Sequence, residues 1–201
     1  VIPVEERDPP PEFEAKVREP GLRWLAERGL PLAGPVPDGV TLSPFWRECL
    51  DDLHREYRGV CAYVSVYIEK VTGSRSVDHF VAKSSAIEAA YEWSNYRLAC
   101  GKMNSRKRDF SDVLDPFGLE ANTFILDLVS LAITPSPALP QVQKDRAMQT
   151  IERLGLDDPE CRALRAEYFT DYVKGDISAE YLERRCPFVW SEVVRQGAQR
   201  A

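Results

Sequence analysis

Nine of the fifteen prolines in this 201-residue chain lie in its first 44 residues, at positions 3, 9, 10, 11, 20, 31, 35, 37 and 44. Each proline fixes φ and removes a backbone donor, so no long helix or strand can run through this stretch. The spacing leaves room for one short helix between Phe13 and Arg28, broken at Pro20-Gly21. Residues 1–44 therefore read as an N-terminal arm that either wraps the body or docks on another protein.

The rest of the chain carries the periodic patterns. Ser43 and Pro44 open a predicted helix with Trp46, Leu50, Leu53 and Tyr57 on one stripe and Gly59 at its end. Residues 60–81 read as extended, with a Thr72-Gly73-Ser74 turn and a second run from Val77 to Val81. A short helix is expected over Ala86–Tyr91, a strand over Tyr96–Ala99 and a helix start over Lys102–Arg108. The last third is helical. Ala147, Ile151 and Leu154 form a stripe ended by Gly155, Asp158-Pro159 starts a helix that ends at Gly175, and Pro187 opens a final segment. The fold class is α+β, mostly helical, with a small strand–loop–strand–helix core. Three regions follow: 1–44, 45–110 and 111–201.

Composition narrows the function. Hydrophobic residues make up 44% and charged residues 29%, ordinary for a globular protein. No run of 18 apolar residues exists to span a membrane. The start Val1-Ile2-Pro3-Val4-Glu5-Glu6 lacks the basic lead of a secretory signal. The five cysteines, at 49, 61, 100, 161 and 186, are odd in number and include no Cys-x-x-Cys. A reducing, cytoplasmic setting is expected. With 32 acidic and 26 basic residues the net charge is -6, the wrong sign for a stand-alone nucleic-acid binder.

The densest chemistry lies between Cys61 and Arg108. Asp78 and His79 put an oxygen ligand for Mg²⁺ beside an imidazole suited to act as a base near pH 7. Adjacent strand residues face opposite ways, so the pair can serve one centre only where the strand ends or bulges. Asn104 approaches from the following helix with an amide oxygen as second ligand. Lys107 and Arg108 lie three and four residues on, on its helix face. Arg97, Lys102, Arg106, Lys107 and Arg108 form the one dense basic segment, read equally as phosphate contacts or as a solvated helix face. His54 is assigned no role.

Taken in order, Cys61, Asp78-His79-Phe80, Lys83-Ser84, Trp93-x-Asn95 and Cys100-x-x-x-Asn104-x-x-Lys107 resemble the core of HNH nucleases, the ββα-metal class. The Ile-Pro start, Asp115-Pro116-Phe117, Thr150-Ile151-x-x-Leu154-Gly155-Leu156 and Arg165 are similar to one subgroup, the HNH nucleases of Septu-type and retron-linked anti-phage systems. The resemblance spans roughly residues 1–170 and is strongest over 61–107. It implies a Pro-rich arm (1–44), an HNH core (45–110) and a helical C-terminal region (111–201). It implies a metal-dependent endonuclease subunit that cuts nucleic acid, DNA ahead of RNA, beside an ATPase partner. On this resemblance His79 is the general base and Asn95 orients it. Asp78 and Asn104 hold Mg²⁺ or another divalent cation, and the basic segment meets the substrate.

The departures are specific. Relatives carry Cys-x-x-Cys twice, whereas Val64 and Met103 replace the second cysteine of each pair here. Cys61 and Cys100 alone cannot complete a tetrahedral site, so no structural zinc is expected and apolar packing between Val64 and Met103 takes its place. Ala82 replaces the family proline, and Asp78 stands where many relatives carry Glu. The competing reading is a catalytically inactive HNH-like interaction subunit.

Overall fold

The computed structural model describes residues 1–200. The protein is mixed α and β, with two small antiparallel sheets. The chain separates into two compact units. The first, here the cleft unit, comprises Glu6–Gly59 and Glu69–Ser111. The second, the helical unit, comprises Val1–Glu5, Val60–Ile68 and the residues from Asp112 onward. The cleft unit ends at Ser111, and Val60–Ile68, inside the 45–110 region of the sequence reading, belongs to the helical unit. The Pro-rich arm is not a separate body: residues 6–44 belong to the cleft unit.

In the cleft unit a π-helical turn, Glu14–Arg18, runs directly into α1 (Glu19–Glu27), so Pro20-Gly21 does not break the helix. The Glu19 amide reaches back to the Glu14 carbonyl, which places Pro20 in the first turn of α1, where no donor is needed. Gly21 is obligatory because any Cβ there would collide with the Tyr91 ring. The helix expected from Ser43 is a 3₁₀ stretch, Phe45–Cys49, followed by α2 (Leu50–Glu56), and Ser43 does not cap it. β1 (Arg75–His79) pairs antiparallel with β2 (Tyr96–Cys100), setting Asp78 opposite Arg97 and His79 opposite Tyr96. α3 (Gly101–Lys107) follows β2 without a loop. Ser74 lies against Gly101, whose amide donates to the Ser74 carbonyl at 2.6 Å, leaving no room for a side chain. Phe13, Trp93 and Tyr96 meet edge to face in the core, and Tyr57 stacks on Trp93.

In the helical unit, β3 (Phe124–Leu126) pairs with β4 (Ile133–Pro135). These strands, three residues each, are too short to show a period, so the sequence reads this region as helical only. α4 (Gln141–Leu154) ends at left-handed Gly155, and α5 (Pro159–Lys174) is capped by Asp158 and ends at Gly175, both as the sequence predicts. α6 (Ala179–Arg185) is capped by Ser178, and α7 (Pro187–Arg195) opens on its proline. Residues 60–68 are not a strand. The Cys61 amide bonds the Val66 carbonyl and the Ser65 amide bonds the Cys61 carbonyl, closing a tight turn with Ser65 at φ 54°. Cys61 and Val64 are buried in this unit, whereas Cys100 and Met103 belong to the cleft unit. Among the described residues no helix is long and apolar enough to cross a membrane.

Candidate active site

Asp78, His79 and Asn104 line one cleft of about 850 Å³ in the cleft unit. It is lined by residues of β1 and α3, by the arm from Val36 through Leu42 to Trp46 and Arg47, and by Ala82, Lys83 and Ser84.

Two neighbouring strand residues reach the same cleft because β1 stops at His79. The Phe80 amide donates to the Asn95 carbonyl at 2.9 Å. The Asn95 side chain then clamps the exit: its Oδ1 accepts from the Val81 amide at 2.7 Å, and its Nδ2 donates to the carbonyls of Val81 and Ala89. Lys107 secures the other side, donating from Nζ to the carbonyls of His79 (3.2 Å) and Phe80 (2.8 Å). The irregularity the sequence assigns to residues 81–85 thus begins at once, held by two side chains.

The His79 imidazole is 6% exposed and sits between the rings of Trp46 (4.8 Å) and Tyr96 (5.1 Å), both edge to face. Its Nε2 donates to the Ala90 carbonyl at 3.0 Å, which fixes the tautomer and leaves the lone pair on Nδ1. Tyr96 donates to the same carbonyl at 2.8 Å. Burial, with the charge of Lys83 next, pushes the His79 pKa down to about 4, so the ring is neutral at pH 7. Asn95 makes its bonds to the loop that carries Ala90 and thereby positions His79 through the backbone.

Asp78, 2% exposed, lies 3.9 Å from Lys107 Nζ. Asn104 donates from Nδ2 to Ser76 Oγ at 3.0 Å, and Ser76 donates to the Ala99 carbonyl across the strand pair. With its nitrogen spent on Ser76, the amide has Oδ1 as the atom it offers a ligand. Among the described residues no three His, Cys, Asp or Glu side chains converge as a metal cage. Asp78 and Asn104 are instead two hard oxygen donors on one cleft, the kind of donor Mg²⁺ prefers.

The five basic residues do not share a face. Lys107 is fully buried and Arg97 is 3% exposed. Arg97 donates to the carbonyls of Ser94 and Tyr96 and lies over the Phe80 ring. Both serve the backbone rather than a solvent-facing patch. Lys102 and Arg106 are half-buried on α3, and Arg108 is exposed and lines the cleft. Arg47 and Trp46 also line it. The sequence reading passes over Arg47 and takes Trp46 as helix core. Trp46 lies in a 3₁₀ stretch with Pro44 at its N-cap, not in the α-helix the sequence spacing assumes.

No protein-family model matches this chain, and no curated protein is significantly similar to it.

Proposed function

We propose that this protein is an HNH-type, metal-dependent phosphodiesterase that hydrolyses nucleic acid. The observation that carries this reading is a strand–strand–helix unit holding Asp78, neutral His79 and Asn104 on one cleft, with His79 Nε2 tied to a carbonyl. Nδ1 of His79 takes the proton from the attacking water. Asp78 and Asn104 hold a divalent cation, which when bound supplies Lewis acidity to the phosphate and stabilises the departing oxygen. Asn95 and Lys107 keep the exit of β1 bent so that base and ligand face one centre.

The sequence resemblance also supports a place in an anti-phage complex, with an ATPase partner presenting substrate to an acidic chain that grips duplex poorly alone. Lys107 favours a second reading. An ammonium 3.9 Å from Asp78 offsets the charge a metal would use, as in a site turned over to an interaction role. A cleavage assay separates the two. The nuclease reading expects Mg²⁺-dependent cutting that EDTA stops, with Asp78→Ala inactive and Asn104→Ala requiring more Mg²⁺. No cutting of any DNA or RNA, with or without partner, leaves the interaction reading.

A further inference from the structure

We infer that the cleft receives an unpaired polynucleotide strand, with one base stacked on Trp46 and the flanking phosphates met by Lys83, Arg47 and Arg108. This rests on the phosphodiesterase reading and adds the substrate class.

The first observation is the arm. The arm is pinned along the cleft: the Val36 amide donates to the Ser84 carbonyl at 3.0 Å, and the Ile87 amide to the Gly34 carbonyl at 2.8 Å. Glu88 accepts from the Gly34 amide at 2.9 Å. A cleft lined by the pinned arm, Val36–Arg47, together with β1 and α3 suits a single strand. A duplex carries its phosphates around a cylinder and is held by many cations on an open surface.

The second observation is Trp46 itself. It is a half-buried aromatic on the cleft, edge to face with His79 at 4.8 Å. A base stacked there sets its adjoining phosphodiester beside the general base. Lys83, exposed, holds its ammonium over the same ring at 5.4 Å. An exposed cation–π contact is weaker than the stacking of a nucleobase on an aromatic ring. The base therefore takes the ring and Lys83 moves to the phosphate, an exchange in which both partners gain.

The third observation is charge. Of the cations that line the cleft, Arg75 is already paired with Asp51, which leaves Arg47, Lys83 and Arg108. Three cations on a chain of net charge -6 do not supply the phosphate contacts of a duplex binder. Stacking plus a few charges is how single strands are held.

The test is fluorescence anisotropy of the full chain with labelled oligonucleotides of roughly 12 nucleotides, in EDTA so that nothing is cut. Oligo(dT), oligo(U) and a duplex are compared. The expected result is single-strand binding at least about tenfold tighter than duplex, about 1.4 kcal/mol. Trp46→Ala loses about tenfold while Trp46→Phe keeps most of the affinity. Because Trp46 also packs on Tyr91, Lys83→Ala is measured in parallel. This change on an exposed side chain lowers single-strand affinity roughly threefold and the salt slope by about 0.7. The ratio of oligo(dT) to oligo(U) binding identifies the sugar preferred. Duplex binding equal to or tighter than single-strand binding, or a folded Trp46→Ala that binds like wild type, overturns the inference. Cleavage in Mg²⁺ is scored on the same preparations, alone and with the partner. Its absence in both overturns the nuclease reading, while strand preference and Trp46 dependence decide the substrate class.

Discussion

Arg165 in the helical unit and Lys107 in the cleft unit are both buried cations, yet they do different work. The Arg165 guanidinium donates to the carbonyls of Leu131 and Leu156 and approaches Asp157, joining the β3–β4 loop to the start of α5. Glu192 in the same unit is spent likewise, accepting from the Leu126 amide and from Arg195 and Gln196. These groups lie among apolar residues and hold loops to helices. Lys107 also ends on carbonyls, but those belong to His79 and Phe80, and its charge sits beside Asp78. The same device, a buried cation capping loose carbonyls, stabilises one unit and shapes a site in the other. The difference lies in whether the capped strand carries groups that face a cleft.

The largest expected effect separates the two cations. Lys107→Met removes the donor to the His79 and Phe80 carbonyls and a buried charge beside Asp78, costing about 3–5 kcal/mol and abolishing cleavage. Arg165→Met costs stability on the same order but leaves cleavage intact below its melting temperature. Thermal melts with cleavage at low temperature decide this. If both variants cut normally while folded, Lys107 has no part in shaping the site.

Next comes Asn95→Ala. It removes three hydrogen bonds at the exit of β1 and should cost roughly 1–3 kcal/mol. Activity should fall less than in a His79 variant, because the bond from His79 to the Ala90 carbonyl survives. A loss equal to that of the base would make Asn95 a direct participant.

The pH dependence tests the buried, neutral state of His79. Unfolded chain protonates His79 below about pH 6.5, whereas the folded protein does so only below about 4. The group therefore contributes stability that is fully present above 6.5 and is lost as pH falls toward 4, about 3 kcal/mol in total. Denaturant unfolding of metal-free protein at pH 7 and pH 4.5 measures it as the part of the stability difference that His79→Gln removes. The smallest effect belongs to Arg108→Ala, an exposed change with a severalfold loss of substrate affinity and no change in melting temperature.

That Asp78, His79 and Asn104 line one cleft was legible in the sequence because they lie close together in an ordered run. The strand pair and helix around them were legible for the same reason, as were the ends of α4 and α5, where glycines and Asp158-Pro159 act locally. What could not be read was long-range. Charged Arg97 and Lys107 read as solvent-facing, since only the fold reveals that the ends of the strands leave carbonyls needing donors. The apolar run from Val60 to Ile68 reads as strand, yet it closes on itself as a buried turn. Trp46 reads as helix core because the arm's path along the cleft is not a local property.

The central claim is that the neutral His79 is the base of a phosphodiester-cleaving site. The direct measurement is the single-turnover cleavage rate at pH 7.5 in Mg²⁺ for wild type and His79→Gln, each shown to be folded by its melt. The account predicts a rate at least about 10²-fold lower for the variant, with substrate affinity unchanged. Equal rates in two folded proteins would contradict it.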